Sequence, residues 1–261
     1  MNGGKPSHPE LLDWLASELI GRWGEREIGR WGEREIGGGT VPSFLPTTST
    51  LKRLHRLIVT SATYRQASTP REDTLAADAG SRLLWRFPPR RLEAEELRDA
   101  ILSTSGQFDR RMNGTGFDLF EPNANYVRVF NSKQDFVAAT DFRRMVYAHK
   151  HRMQLDDTFG SFDCPDGGQV APRRNSSNTP LQALNLLNSR FLIQQSEQFA
   201  LRIQSESRGD ATRYASIAIQ LAFSRTPNAD ELASANQLIQ AHGLPALCRA
   251  LLNANEFLFV R

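Results

Sequence analysis

The chain has 261 residues, of which 39% are hydrophobic and 23% are charged, and this balance is typical of a folded globular protein rather than a disordered chain. The 32 basic and 29 acidic residues leave a formal net charge of only +3, which excludes a general electrostatic attraction to nucleic acid or to an anionic membrane. No run approaches the roughly 18 apolar residues of a membrane span, and two cysteines in different contexts are too few for a disulfide framework or a thiolate-only zinc site.

A helix is predicted at the start of the chain. Ser7 and Glu10 form a capping-box pattern in PSHPELLDWLASELI, and Pro9 suits the first turn. The apolar residues that follow recur at helical spacing. Residues 1–20 are therefore assigned to the first helix of the domain.

Residues 21–36 contain one octapeptide, GRWGEREI, twice without a difference. Each copy holds two glycines, which each cost a helix about 1 kcal/mol relative to alanine, so we expect the first helix to stop before the repeat. Two copies are fewer than the roughly three that a solenoid needs, and the glycine, proline and threonine that follow are typical of a linker. We predict that residues 21–50 are an inserted, disordered repeat and linker, produced by an in-frame duplication within a surface loop.

Residues 51–261 are predicted to be the remainder of the same helical domain, because apolar residues recur there at helical spacing between polar loops. The predicted helices cover residues 51–65, 93–105, 140–153, 180–204, 211–224, 228–242 and 244–257. Residues 66–81 are predicted to be a polar loop, and residues 107–138 are irregular, with a short strand or hairpin at residues 126–130. The predicted fold class is mainly α: an irregular helical domain with long loops and at most a short β-hairpin.

The best candidate for a functional site is the loop over residues 156–178, because a compact domain rarely keeps so long a loop without a purpose. Asp163 and Asp166 can serve as acid and base in glycoside hydrolysis if their carboxyl groups lie roughly 5 to 9.5 Å apart. Arg173 and Arg174 precede a helix N-terminus, where they can bind an anionic group. The simpler interpretation is that the aspartates cap a local turn and that the arginines neutralise them.

Cysteine and histidine give weaker signals. Cys164 has no histidine close in sequence to act as a base, so a packed, inert thiol is expected. His149 and His151 would point about 200° apart on the helix predicted for their segment. We therefore expect no metal site.

Five stretches, in order along the chain, resemble a planctomycete domain of unknown function. They are HPELLDWLASELI, LKRLHRLIVTSATYRQAS, RLLWRFPPRRLEAEELRDAIL, FDCPDGGQVAPRRNSSNTPLQALNLLN and ALCRALLNANEFLFV. The chain is similar to the C-terminal domain of large multi-domain proteins that often carry a cytochrome-c-like region. The resemblance implies an architecture and a context, and it assigns no catalytic residue.

Two departures from that resemblance set further expectations. Relatives have another helical segment before the HPELLDWLA stretch, so we expect the chain to be a C-terminal fragment, truncated at its N-terminus. They also pass from the first helix to the second through a short link, which residues 22–49 replace here. Haem would belong to an absent upstream region, with no cofactor in this chain, which has no CxxCH motif. No signal peptide is recognised, so the chain would be cytoplasmic if made as written, whereas the parent family is expected to be exported.

Three functions are compatible with these signals. We favour a noncatalytic accessory or interaction module of a larger cytochrome-associated protein, whose partners are upstream domains of the parent protein or another protein. The alternative is a hydrolase that acts on carbohydrate or another polar polymer through the loop carboxylates. The third is an electron-transfer partner, which needs the haem region in the same chain. We expect neither a nucleic-acid partner nor a membrane span.

Overall fold

The computed structural model describes residues 5–26, 48–121, 136, 139–151, 154–156, 158–165, 168, 174 and 177–260. These residues form ten α-helices and one antiparallel sheet of two strands, which confirms the predicted mainly α class. No helix within these ranges is long and apolar enough to cross a membrane. The chain divides into two compact units, one within residues 1–89 and one within residues 90–260.

The first unit contains helices α1 (Pro9–Arg26), α2 (Thr48–Thr60) and α3 (Glu72–Ala77). An ion pair between Glu18 and Arg53 joins α1 to α2. Helices α1 and α2 also contact each other along the chain that the structure describes.

Two features of this unit differ from the prediction. The first helix continues through two glycines of the repeat to Arg26, because the arginine and glutamate residues around them are good helix formers that offset the glycine cost. Helix α3 forms inside a segment predicted to be a loop, where Glu72 and Asp73 favour a helix N-terminus. Residues 27–47 lie outside the described residues, so the disorder predicted for them stays a prediction.

The second unit holds the remaining helices and the sheet. Its elements are β1 (Arg90–Arg91), α4 (Ala94–Ser105), α5 (Pro180–Asn188), α6 (Arg190–Glu206), α7 (Tyr214–Phe223), α8 (Ala229–His242), α9 (Leu244–Leu252), α10 (Asn255–Leu258) and β2 (Phe259–Val260), with 3₁₀ turns at Ala139–Phe142, Met145–Tyr147, Gly160–Phe162 and Ala211–Arg213. Arg90 pairs with Val260 across the antiparallel sheet, so the sheet joins distant segments and is not a hairpin. The hairpin predicted at residues 126–130 lies outside the described residues.

The core of the second unit is built around α6, which packs against α4, α9, α5 and α7. Phe199 and Ile203 of α6 are fully buried, as are Leu97 and Ile101 of α4 and Leu252 of α9. On α4 and α6 these positions lie four residues apart, which places them on one face of each helix. Burying each of these side chains stabilises the fold by about 1.5–3 kcal/mol.

Local signals set two helix starts where they were predicted. Helix α5 begins at Pro180 after Thr179, and Gln182 completes a capping box. Helix α8 begins after Asn228, whose side chain accepts a hydrogen bond from the Glu231 amide at 2.8 Å. Each cap satisfies helix N–H groups that would otherwise lack a partner.

The single helix predicted over residues 180–204 is in fact two helices, α5 and α6. Ser189 between them has φ −66° and ψ 136°, and its hydroxyl accepts a hydrogen bond from the Leu192 amide at 3.1 Å. Ser189 interrupts the helix because a serine side chain stabilises a helix more as an N-cap than at an interior position.

The helix predicted over residues 140–153 is also wrong. The described residues of this segment form two 3₁₀ turns and a non-helical stretch at residues 148–151. The cause is tertiary, because the fully buried Arg98 of α4 donates to the Arg143 carbonyl at 2.8 Å and also binds the Asp141 carbonyl. Because the carbonyl oxygens of Asp141 and Arg143 accept hydrogen bonds from this guanidinium, they are not available for a regular helix in this segment.

Candidate functional site

Asp163 lies directly after the 3₁₀ turn Gly160–Phe162, in a left-handed conformation (φ 57°) that aspartate adopts more readily than most residues. Its carboxylate accepts hydrogen bonds from the Ser177 amide at 2.7 Å and from the Ser177 hydroxyl at 2.9 Å. Arg91 of β1 lies close enough for its charge to act on this carboxylate. Asp163 therefore joins the first part of the long loop to its C-terminal end.

Arg174 binds the N-terminal turn of α4. Its guanidinium donates to Glu93 Oε2 at 2.8 Å and to both carboxylate oxygens of Glu95, at 2.7 and 3.0 Å. Burial is the strongest single influence on Glu95 and raises its pKa, but the hydrogen bonds from Arg174 and the charges of Arg174 and Lys150 together outweigh it, so the pKa is lowered. The hydrogen bond to Glu95 likewise raises the pKa of Arg174. This bidentate pair fixes Arg174 in one orientation.

The described residues do not bring the predicted site together. Asp163 bonds to Ser177, whereas Arg174 bonds to the acidic residues of α4. Asp166 and Arg173 lie outside the described residues. The acid–base pair and the anion site therefore stay predictions. The described contacts also differ from the simpler interpretation, because Asp163 bonds to Ser177 rather than to its own turn, and Arg174 bonds to Glu93 and Glu95 rather than to an aspartate.

Sequence reasoning missed two residues that organise the loop. Gln182 is 1% exposed and donates to the Ser161 carbonyl at 2.9 Å and to Ser177 Oγ at 3.0 Å. Arg91 donates to the Ser177 carbonyl at 2.8 Å, and its guanidinium lies 4.9 Å from the centre of the Phe162 ring. The T-x-x-Q capping pattern was a signal for Gln182. No local pattern marks Arg91, because Ser177 is 86 residues further along the chain.

Cys164 contacts a charged pair that the sequence did not predict. Its side chain is 7% exposed, and Lys150 Nζ lies 2.6 Å from its sulfur. Glu95 Oε1 lies 3.9 Å from the sulfur and 3.9 Å from Lys150 Nζ. Burial raises the pKa of the Cys164 thiol, and the nearby lysine offsets only part of this effect. The sulfur is therefore mostly protonated at neutral pH.

His149 and His151 converge on one carboxylate, which contradicts the predicted divergence. His149 Nδ1 lies 3.0 Å and His151 Nε2 lies 3.4 Å from Asp118 Oδ1. The prediction was wrong because the segment is not a helix, and residues two apart in an extended chain project to the same side. Among the described residues, no group of three histidine, cysteine or carboxylate side chains is arranged to hold a metal ion.

A small cavity borders both clusters. Its volume is about 20 Å³, and its lining includes Cys164, Lys150, His149 and His151. This volume holds about one water molecule, whereas pockets for organic ligands are about 300–1,000 Å³. The cavity is therefore far too small for a sugar residue.

The family of the chain is given by comparison with known proteins. Residues 42–239 match the family described as protein of unknown function DUF1553, or PSD1. No curated protein and no solved structure matches the chain. The matched range covers most of the chain and contains the whole long loop with Asp163, Cys164 and Arg174. The chain therefore belongs to the PSD1 family of proteins of unknown function (DUF1553).

Proposed function

We propose that this chain is a noncatalytic helical interaction module of a larger cytochrome-associated protein. The observation that carries the proposal is a row of exposed leucines on α5. Leu181, Leu184 and Leu187 are 58%, 54% and 38% exposed, although leucine is ordinarily a core residue. These three side chains are called the α5 leucine row below.

The α5 leucine row lies on one side of its helix. Steps of three residues place the three side chains within about 120° of the helix circumference. Gln182 and Leu186 are buried on the other side. The helix, PLQALNLLN, has no charged residue, so its exposed side lacks the charges that usually cover a surface helix. An apolar surface of this kind is typical of a site that binds another protein.

The polar groups that are candidates for chemistry also support a noncatalytic role. The Asp163 carboxylate is engaged by Ser177, and the Arg174 guanidinium is engaged by Glu93 and Glu95. The cavity beside Cys164 holds about one water molecule. These contacts are better explained by holding the loop in place than by acting on a substrate.

The partner that we propose is the haem-bearing upstream region of the same larger protein. This step rests on the resemblance of the five quoted stretches to the C-terminal domain of cytochrome-c-like multi-domain proteins. Haem would be bound by that region, and this chain would supply the surface on which the region docks. An exported parent protein fits the same context.

The association with a cytochrome is tested on the native protein. We would isolate it from its own cells, measure its intact mass and record its haem absorbance. A haem-bearing species much heavier than the 29.3 kDa of this chain is expected. A species of 29.3 kDa without haem would contradict the proposal.

The docking role of the α5 leucine row is tested by substitution. Each leucine buried at an interface contributes about 1.5–3 kcal/mol, so Leu181→Glu combined with Leu184→Glu should weaken binding to the haem-bearing region at least about tenfold. Leu201→Glu on α6 is a matched control, because Leu201 is 57% exposed. Calorimetric titration that shows equal affinity for both variants would refute the docking role.

The same protein also tests the hydrolase alternative. Under our proposal, incubation with polysaccharides releases no reducing ends. Release that Asp163→Asn abolishes, with the helical content unchanged, would replace the interaction module with the hydrolase.

A further inference from the structure

We propose that Cys164 and Lys150 form a reversible sulfur–nitrogen cross-link when the protein meets hydrogen peroxide. This modification does not depend on the interaction role proposed above. Lys150 Nζ lies 2.6 Å from Cys164 Sγ, whereas groups poised to react are about 3–3.5 Å apart. The two atoms are already within reacting distance, so the bond forms without a movement of the backbone.

Three separate segments hold this pair in place. Lys150 follows the 3₁₀ turn Met145–Tyr147, and Cys164 follows the turn Gly160–Phe162. Glu95 in the first turn of α4 lies 3.9 Å from both reacting atoms. Because Arg174 fixes Glu95 through a 2.7 Å hydrogen bond, the carboxylate is positioned to hold the lysine beside the sulfur by charge.

The sulfur is shielded from large molecules and remains open to small ones. Cys164 is 7% exposed and lines the cavity of about 20 Å³, which holds about one water-sized molecule. Hydrogen peroxide is little larger than water and reaches the sulfur there, whereas a second protein thiol does not. Lys150 enters from the surface, since 41% of its side chain is exposed.

The chemistry consumes one peroxide and releases two water molecules. In the first step Cys164 Sγ attacks one peroxide oxygen, an S–O bond forms and the O–O bond breaks. The hydroxide that leaves takes the thiol proton and departs as water. Sulfur is oxidised by two electrons to a sulfenic acid, and peroxide is reduced.

In the second step the lysine is the nucleophile. Its ammonium first releases a proton to solvent, since 41% of the Lys150 side chain is exposed, and the neutral Nζ then attacks the sulfenyl sulfur. The S–N bond forms, the S–O bond breaks, and the hydroxide leaves as water with a second amine proton. Sulfenic acids condense with nitrogen in this way, and a thiol reductant reverses the bond.

Cys248 is an internal control in the same chain. It is 0% exposed within α9, and burial raises the pKa of its thiol to about 12. A fully buried thiol reacts poorly with peroxide, because peroxide has to reach the sulfur. We expect Cys248 to stay a thiol under conditions that modify Cys164.

The test is mass spectrometry of the peroxide-treated full chain, digested with trypsin without reductant. The expected product is a linked pair of peptides that contain Cys164 and Lys150 and that is about 2 Da lighter than their sum, because two hydrogen atoms are lost. Cleavage after Lys150 is lost with it, and dithiothreitol restores both peptides.

Lys150→Arg is the matched variant, because arginine keeps the charge but stays protonated and does not attack sulfur. The variant should yield sulfenic and sulfinic acids at Cys164 and no linked peptides. Wild-type protein that gives sulfinic acid at Cys164 with an unmodified Lys150 would overturn the proposal. Oxidation of Cys248 ahead of Cys164 would overturn it as well, and neither result depends on how the variant folds.

Discussion

Replacing Asp163 with asparagine isolates the contribution of one carboxylate charge to stability. Asparagine also adopts left-handed backbone readily, so the conformation at φ 57° costs little after the substitution. The side-chain volume hardly changes. A change in the free energy of unfolding therefore reports the hydrogen bonds and the charge of Asp163.

The magnitude follows from the partners of this carboxylate. It accepts two hydrogen bonds from Ser177, at 2.7 and 2.9 Å, and it lies near the Arg91 guanidinium. Hydrogen bonds to charged groups contribute about 1.5–3 kcal/mol, and neutral ones contribute about 0.5–1.5 kcal/mol. Asparagine has one acceptor oxygen and no charge, so we expect the free energy of unfolding to fall by about 1–2 kcal/mol.

Urea unfolding followed by far-ultraviolet circular dichroism measures this change. Tryptophan fluorescence is unsuitable, because all four tryptophans lie within residues 1–89. The midpoint should fall while the slope stays constant. Asp230→Asn, at an exposed position in the first turn of α8, is the control. Equal midpoints for the two variants would refute a structural role for Asp163.

Gly116→Ala is expected to destabilise the protein by about 1–3 kcal/mol, because the added Cβ would lie 2.5 Å from the Tyr147 carbonyl oxygen; an unchanged melting temperature would contradict this. Acid is expected to weaken the ion pair of Glu231 with Arg225, whose hydrogen bond lowers the pKa of Glu231 from 4.5 to about 2. This contribution to stability is present above pH 4.5 and is lost as the pH falls towards about 2. The free energy of unfolding of Glu231→Gln, measured against pH, should therefore decrease less in acid than that of the wild type. Replacing residues 27–47 with a short glycine–serine linker is expected to leave the melting temperature nearly unchanged, whereas a large decrease would show that the replaced residues pack on the core.

Helix starts could be predicted where the signal is local. Thr179 and Asn228 each lie three residues before the side chain that completes a capping box. Such local patterns mark the starts of α5 and α8 without any knowledge of the core. The break at Ser189 was missed because regular apolar spacing on both sides outweighed one serine.

Segments governed by distant contacts could not be predicted in the same way. Arg98 is 45 residues from Arg143, whose carbonyl it binds, and no local pattern indicates a buried cation. The same reason limited the prediction of the candidate site. Asp163 was recognised from its residue type and its loop, but its neighbour Arg91 comes from a strand at the start of the unit, far from the loop in sequence.

The pairing of Arg90 with Val260 brings the two ends of the second unit side by side. Neighbouring strands are about 4.8 Å apart, so the polypeptide enters and leaves this unit at nearly one point. A unit with adjacent ends tolerates insertion into a loop of another protein, and it tolerates circular permutation. We therefore expect that the second unit can be inserted into another polypeptide, in evolution or in engineering, with its core residues unchanged.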